Sequence, residues 1–498
     1  MLEAFFYGFL ALFQPSVLLA WLAGTMIGLI VGVIPVIGPL ETFCLLLPFI
    51  FKMNLEVALV LLMSIGAVST MGGSITSILL NIPGDAPNAA TCIDGYPMTR
   101  RGEAGRAIGA AVTSNGLAAI MSVLLALVMI PLVIPMVMHL WSAEMFFLVI
   151  MGIAFLSSLG KGSQVKGLIA GGVGILISFI GRHVSTGLPR FTFGILPLYD
   201  GVDLIPVLLG LFGLSEIIDL AATGQTIAQT GAVTGGFRDL LQGMKDVFRH
   251  IWLWFRCVII GYIIGILPGI GHMTSTFVAY AHGKQTAKQR EKFGTGTVEG
   301  VIAPEAGNSS SMAGDLLCTL ALGIPGSAGM TLILAAFLIL GIVPGPGMLL
   351  DHLQLSFTMM LTCAIGVPLA AFFCFWGSRY LIRLANVNPR YLFCTVVPII
   401  FVGCFIRGET MLNILLVIIF GVLGLLMKRW NFSRPSLALG YILGELCEYY
   451  FWTSLQFEGP FFFMRPISLF VIAVTAFVIS YDYIMPLFRR RPKEVKKS

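Results

Sequence analysis

The sequence predicts an all-α, polytopic integral membrane protein with about 10–12 transmembrane helices, two re-entrant hairpins and two structural repeats. Three observations carry this expectation. The 498 residues are 57% hydrophobic and only 11% charged, against roughly 25% charged in soluble domains, and mean hydropathy is +0.94. Charge-free apolar runs follow one another along the chain, several near the roughly 20 residues that a helix needs to cross the hydrocarbon core. Two blocks of proline and glycine recur with fixed spacing. So little charge cannot solvate so much apolar side chain, and the lipid bilayer is the surrounding that remains. The 30 Lys and Arg against 24 Asp and Glu offer no basic face of useful size, which excludes nucleic acid as a partner.

In chain order, the candidate spans are 17–37, 57–80, 107–138, 145–159, 167–180, 204–214 and 257–270 in the first part. They continue with 330–343, 353–376, 391–406, 411–427, 437–443 and 467–481. The first residues lack the basic segment of a cleaved signal peptide, so a retained interfacial or membrane helix is expected there. Three polar stretches interrupt the runs: 94–106, 225–250 with an amphipathic piece at 237–248, and 284–292. Each carries Lys or Arg and is a candidate cytoplasmic segment. The chain ends on Arg489, Arg490, Arg491, Lys493, Lys496 and Lys497 against Glu494 alone, which puts the C-terminus in the cytoplasm by the positive-inside rule. Nine cysteines show no CxxC or metal-type spacing and read as small buried hydrophobes.

A duplication lies within the apolar runs. Gly28, Gly32, Pro35 and Gly38 recur as Gly261, Gly265, Pro268 and Gly271, each offset by 233. Ser69, Gly72, Ser77, Ile82, Pro83 and Gly84 recur as Ser311, Gly314, Thr319, Ile324, Pro325 and Gly326, offset by 242. The difference fits an insertion at the basic connector 284–292. The expected organisation is a first transmembrane repeat over 1–230 with a hairpin near 69–91, a cytoplasmic amphipathic connector at 231–250, a second repeat over 251–488 with a hairpin near 307–330, and a basic cytoplasmic tail at 489–498. An inverted relation between the repeats is expected, as alternating access commonly uses one.

Each repeated block has a packing explanation and a site-forming one. GxxxG lets helices approach closely. The following Pro-x-x-Gly removes a backbone donor and permits unusual dihedrals, leaving helix breaks at Pro35, Gly38, Pro268 and Gly271. Freed backbone groups cost several kcal/mol each in lipid unless protein or a wet cavity satisfies them, and paired breaks in corresponding halves point to a transport site. In the second block a small-residue, hydroxyl-rich helix runs into an Ile-Pro-Gly break in both halves. The reading is a short helix in, a turn at membrane depth and a short helix out. The break exposes Pro83, Gly84, Pro325, Gly326 and Ser327. Neutral polar contacts would come from Ser74, Ser77, Asn81, Asn88, Asn308, Ser310 and Thr319, which can meet a carboxylate without competing as anions. The alternative is that these hydroxyls only cap and pack interior helices. Asp85 and Asp315 are ionisable groups at expected membrane depth and are assigned to a coupling cation, Na⁺ or H⁺. No Lys or Arg lies in either hairpin core, so substrate charge would be met by cations, backbone N–H groups and helix ends.

These residues carry a resemblance. The segments IPGDAPNAATCIDGYPMTRRGEAGRAIGAA and APEAGNSSSMAGDLLCTLALGIPGSAG, with the paired GxxPxxG blocks, resemble the large membrane subunit of tripartite tricarboxylate transporters, the TctA family, over nearly the whole chain. The resemblance implies a permease of the bacterial inner membrane that works with a small four-helix membrane subunit and a periplasmic solute-binding protein. It implies secondary active uptake of tri- or dicarboxylates driven by a Na⁺ or H⁺ gradient, with no cofactor and no enzymatic activity. Two positions depart from the family's PGxGP pattern: Val36 replaces a glycine, and His272 stands where the final proline would be.

Two other functional classes compete with transport. An intramembrane aspartyl protease would use Asp200 and Asp315, but Met312 occupies the first glycine of the required Gly-x-Gly-Asp. HExxH and GxSxG are absent, and the six histidines lie far apart in sequence. A channel would suit re-entrant segments, but no TVGYG-type filter is present.

Overall fold

The computed structural model describes residues 1–34, 38–158, 164–183, 186–223, 237–384, 389–408 and 410–488. Pro35, residues 231–236 of the amphipathic connector and the basic tail 489–498 lie outside the described residues. The chain is 83% helical. Its strands among the described residues are the two-residue pair Gly181–Arg182 and Pro189–Arg190, antiparallel with Gly181 opposite Arg190. Five described helices are long and apolar enough to cross a membrane: Pro15–Val33, Leu55–Leu80, Ala104–Met138, Leu353–Cys374 and Met411–Arg429. A sixth candidate is the pair Arg238–Arg249 and Ile251–Ile266, bent by 75°. Shorter apolar helices of 10–17 residues, such as Pro39–Ile50 and Ala328–Ile339, accompany them. The protein is an all-α polytopic membrane protein.

Helix contacts divide the chain into two units, Met1–His139 with Val202–Arg429, and Leu140–Gly201 with Trp430–Ser498. In the first, Pro15–Val33 packs on Leu55–Leu80, and Ile251–Ile266 packs on Glu299–Leu322. Missing side chains make both contacts close. Gly32 abuts the Ser69 carbonyl and Gly72, and Gly265 abuts the Ser311 carbonyl and Gly314. Any side chain at these glycines would overlap backbone on the neighbouring helix.

Local geometry recurs at the offsets seen in the sequence. The two glycine-bearing helices end at Val33 and Ile266, and the residues that follow are extended, Ile34 at φ −82°, ψ 101° and Leu267 at φ −77°, ψ 119°. The hydroxyl-rich helices end at Leu80 and Leu322 on left-handed caps, Asn81 at φ 57° and Gly323 at φ 67°, residue types that tolerate this conformation. Four residues later Asp85 (φ −142°, ψ 165°) and Ser327 (φ −142°, ψ 168°) open the next turn with near-identical backbones.

The hairpins differ in one respect from the expected short helix at each side. Leu55–Leu80 and Glu299–Leu322 are long helices of 26 and 24 residues. Hydroxyls let them run on through the polar stretch: Ser77 donates to the Gly73 carbonyl and Thr319 to the Asp315 carbonyl, both at 2.8 Å. The chain then doubles back, so that Gly84 rests on Gly73 and Gly326 rests on Asp315, each eleven residues upstream. Of the remaining break positions, Gly38 caps Pro39–Ile50 by donating its N–H to Glu41 at 2.8 Å. Pro268 is buried just beyond Ile266, and Gly271 starts the next helix at φ +71°.

The second unit is built from Ser142–Ser158, Gln164–Ser178, Arg434–Glu458 and Pro466–Phe488. Gly171 and Gly440 meet backbone to backbone. Glu144 is fully buried and pairs with Arg465 at 3.1 Å, with Ser468 and the Trp141 N–H as further donors. Glu448 accepts two parallel bonds from Arg190, both at 2.8 Å, the fork geometry that makes arginine a strong carboxylate partner.

Candidate functional site

The hydroxyl-rich stretch of Leu55–Leu80 faces Glu299–Leu322 in the first unit, and one carboxylate joins them. Glu305 is 0% exposed. It accepts from Ser74 Oγ at 2.8 Å, from Thr91 Oγ1 at 2.5 Å and from Asn115 Nδ2. The network extends outward: Asn88 Nδ2 donates to Ser74 Oγ and the Thr70 carbonyl, both at 2.9 Å, and Ser309 Oγ donates to Asn115 Oδ1 at 2.5 Å. Glu305 makes no ion pair among the described residues, so neutral donors alone stabilise it. Asn88 Oδ1 is buried with no hydrogen-bond partner among the described residues, and it lies against Gly73, where a side chain would displace it. Carboxylate and amide oxygens are hard donors of the kind that hold a cation.

A second cluster forms about ten residues along the same helix, roughly 15 Å away. Asp315, 1% exposed, has Oδ2 3.1 Å from His272 Nε2, a close contact without a hydrogen bond between them. Its Oδ1 fills the space beside Gly326. At the first tip the Asp85 carboxylate accepts from the Ala86 N–H at 2.7 Å. The two tips differ in exposure: Asn81 and Pro83 are exposed and Gly84 half-buried, whereas Gly323 to Ser327 are buried throughout.

The remaining site candidates separate by where their hydrogens go. Ser74 and Asn88 belong to the Glu305 network. Ser77, Ser310 and Thr319 donate to carbonyls of their own helices, and Ser310 also packs beside Gly261. Asn308 is buried on the helix of Glu305. Ser327 caps the following helix by accepting from the Met330 N–H at 3.3 Å, and Pro325 is buried with it.

A third buried carboxylate has a different partner set. Asp94 accepts from the N–H groups of Gly294 at 2.9 Å, Gly296 at 2.7 Å and Thr297 at 3.0 Å, and from Tyr280 Oη at 2.9 Å. Successive backbone amides form an anion-binding nest. Asp94 thus latches the loop before Glu299–Leu322 to the helix Ala89–Arg100, leaving it no capacity for a ligand.

Glu305, Thr91, Asn115, Asp94 and Ser309 were not singled out by the sequence. For Glu305 a signal existed: it is an acid in the run APEAG, and the rule that selects Asp85 and Asp315 as ionisable groups at membrane depth selects it equally. Thr91 and Asn115 carry no such mark, because only packing brings them to Glu305. Among the described residues no three His, Cys, Asp or Glu side chains cluster as metal ligands.

Comparison with known proteins gives a family. The model of the tripartite tricarboxylate transporter TctA family matches residues 18–439, a range that contains both clusters. The chain is 31% identical over 470 residues to an uncharacterized 52.8 kDa protein in the TAR-I ttuC' 3' region of Agrobacterium vitis, covering 94% of this chain and 93% of that one. It is 30% identical over 188 residues to an uncharacterized protein in the TAR-II ttuC' 3' region of the same organism, covering 38% of this chain and 78% of that one. No solved structure matches the chain.

Proposed function

Because this chain belongs to the tripartite tricarboxylate transporter TctA family, as a membrane subunit of such a transporter, we propose that it is the permease of a binding-protein-dependent secondary transporter. It imports tri- or dicarboxylates, or related small organic anions, across the bacterial inner membrane, with its C-terminus in the cytoplasm and no enzymatic step. Its partners are a small four-helix membrane subunit and a periplasmic solute-binding protein that concentrates the substrate.

The observation that supports a site here is Glu305, a buried carboxylate held only by Ser74, Thr91 and Asn115 beside the unpartnered Asn88 Oδ1. A buried charge without a fixed counter-charge is costly, and binding a proton or Na⁺ relieves that cost. We assign Glu305 to the coupling ion together with Asp315 and Asp85. The substrate carboxylates meet the neutral donors and backbone N–H groups at the breaks by Gly84 and Gly326. A bound cation offsets the repulsion between protein and substrate anions.

The matched backbones at Asn81 and Gly323, and at Asp85 and Ser327, support two duplicated halves. The order of contacts supports an inverted relation. Ser74 meets Glu305 while Gly66 meets Met312, so the two equivalent helices run in opposite senses. A two-fold axis relating them lies across the helices.

The test is uptake of radiolabelled di- and tricarboxylates into proteoliposomes holding this subunit with both partners. Uptake should require the partners and a Na⁺ or proton gradient, and should proceed without ATP. Full-rate, full-affinity uptake by this subunit alone would overturn the reading. Ion flux without substrate would favour a channel.

A further inference from the structure

We propose that the cleft at the 75° bend between Arg238–Arg249 and Ile251–Ile266 binds the phosphate of an anionic phospholipid headgroup. The cleft has a volume of about 510 Å³, and Arg249, Trp252, Arg256, Thr286, Lys288 and Glu299 line it. Its charge balance is positive, because the acids nearby are already engaged. Glu299 pairs with His250 at 3.1 Å. Asp246, at 3.3 Å from Arg249, is held more closely by Arg106 at 2.6 Å. Arg256 donates to the Trp252 carbonyl at 3.3 Å and to Thr286 Oγ1 at 3.4 Å, which steadies its guanidinium, and neither Arg256 nor Lys288 bonds a carboxylate among the described residues. A guanidinium fork and an ammonium at one mouth match the oxygens of a phosphate.

The surroundings favour a lipid over a free anion. Arg238–Arg249 is amphipathic and turns sharply from the apolar Ile251–Ile266, as a helix does when it lies in the plane of the membrane surface. Phe248 and Trp252 on either side of the bend are 56% and 76% exposed. Exposed aromatic rings beside cations are the signature of the headgroup level, and basic pockets between helices there take up anionic headgroups. A soluble phosphate would gain nothing from these rings, whereas acyl chains would cover them.

Native mass spectrometry of the full-length chain in detergent tests the assignment, with phosphatidylglycerol, phosphatidylcholine and inorganic phosphate as separate probes. Retention of phosphatidylglycerol over phosphatidylcholine is expected. Arg256→Gln combined with Lys288→Gln should lower that retention by about tenfold or more, while the exchange Arg256→Lys with Lys288→Arg should largely keep it. Both variants face solvent or lipid, and elution profile and melting temperature verify that they fold. Unchanged retention in the double Gln variant would overturn the site. Phosphate binding at the same residues with no preference for phosphatidylglycerol would overturn the lipid as its occupant.

Discussion

Ser74 Oγ and Glu305 Oε2 lie 2.8 Å apart although 231 residues separate them in the chain. The bond joins the two hydroxyl-rich helices at a level where Gly84 also rests on Gly73, so the first Ile-Pro-Gly break and the buried acid of the second helix share one neighbourhood.

Glu305→Gln should lower carboxylate uptake by about 10- to 100-fold, since hydrogen bonds to a charged group contribute roughly 1.5–3 kcal/mol each. The amide has one acceptor oxygen where the carboxylate has two, so at least one of Ser74, Thr91 and Asn115 loses its acceptor and faces an N–H donor instead. The dependence of uptake on Na⁺ or proton concentration should change as well. A variant with wild-type ion dependence and only a lower melting temperature would make Glu305 a packing residue.

The two tip glycines should respond differently to one methyl group. At Gly84 a Cβ meets backbone, the Gly73 Cα and the Gly32 carbonyl at 2.5 Å, and Gly84→Ala should cost about 1–3 kcal/mol of stability. At Gly326 the first obstacle is the Asp315 side chain, which can swing aside. Gly326→Ala should therefore disturb transport more than stability. Valine at either position should abolish uptake in protein that still inserts. Thermal melts beside uptake rates separate the cases, and normal transport by both valine variants would make the tips mere turns.

Asp94→Ala should destabilise the protein by about 2–4 kcal/mol, because several backbone N–H groups lose their acceptor and each buried orphan costs roughly 1–3 kcal/mol. Limited proteolysis should then cut first in the loop at 294–297. Remaining folded protein should bind substrate with unchanged affinity, since Asp94 is latched away from the Glu305 network.

His272 and Asp315 should be energetically coupled. A double-mutant cycle of His272→Gln and Asp315→Asn, read as the ion concentration for half-maximal uptake, should depart from additivity by about 0.5–3 kcal/mol, as neighbouring charged residues do. Additive effects would mean that the 3.1 Å contact carries no function.

Composition and local pattern were sufficient for much of the fold. An 11% charged chain with repeated apolar runs has no stable arrangement outside a membrane, and in lipid the backbone must bond within each segment, so helices follow. The breaks at Pro83–Gly84 and Pro325–Gly326 were legible for the same reason, because proline and glycine act on their own backbone. Asp315 was legible as an acid in an apolar stretch. The long extent of Glu299–Leu322 was not: whether Thr319 exposes its hydroxyl or returns it to the Asp315 carbonyl depends on what surrounds it. Glu305, Thr91 and Asn115 could not be assembled either, since they come from three helices and no spacing in the chain encodes which faces meet. Asp94 shows the same division: the sequence put it at the start of a polar loop, and its burial and engagement by Gly294, Gly296 and Thr297 were decided by tertiary packing. Local backbone chemistry is written residue by residue, but the partner of a buried charge is chosen by whichever helix packs against it, and only the folded chain makes that choice.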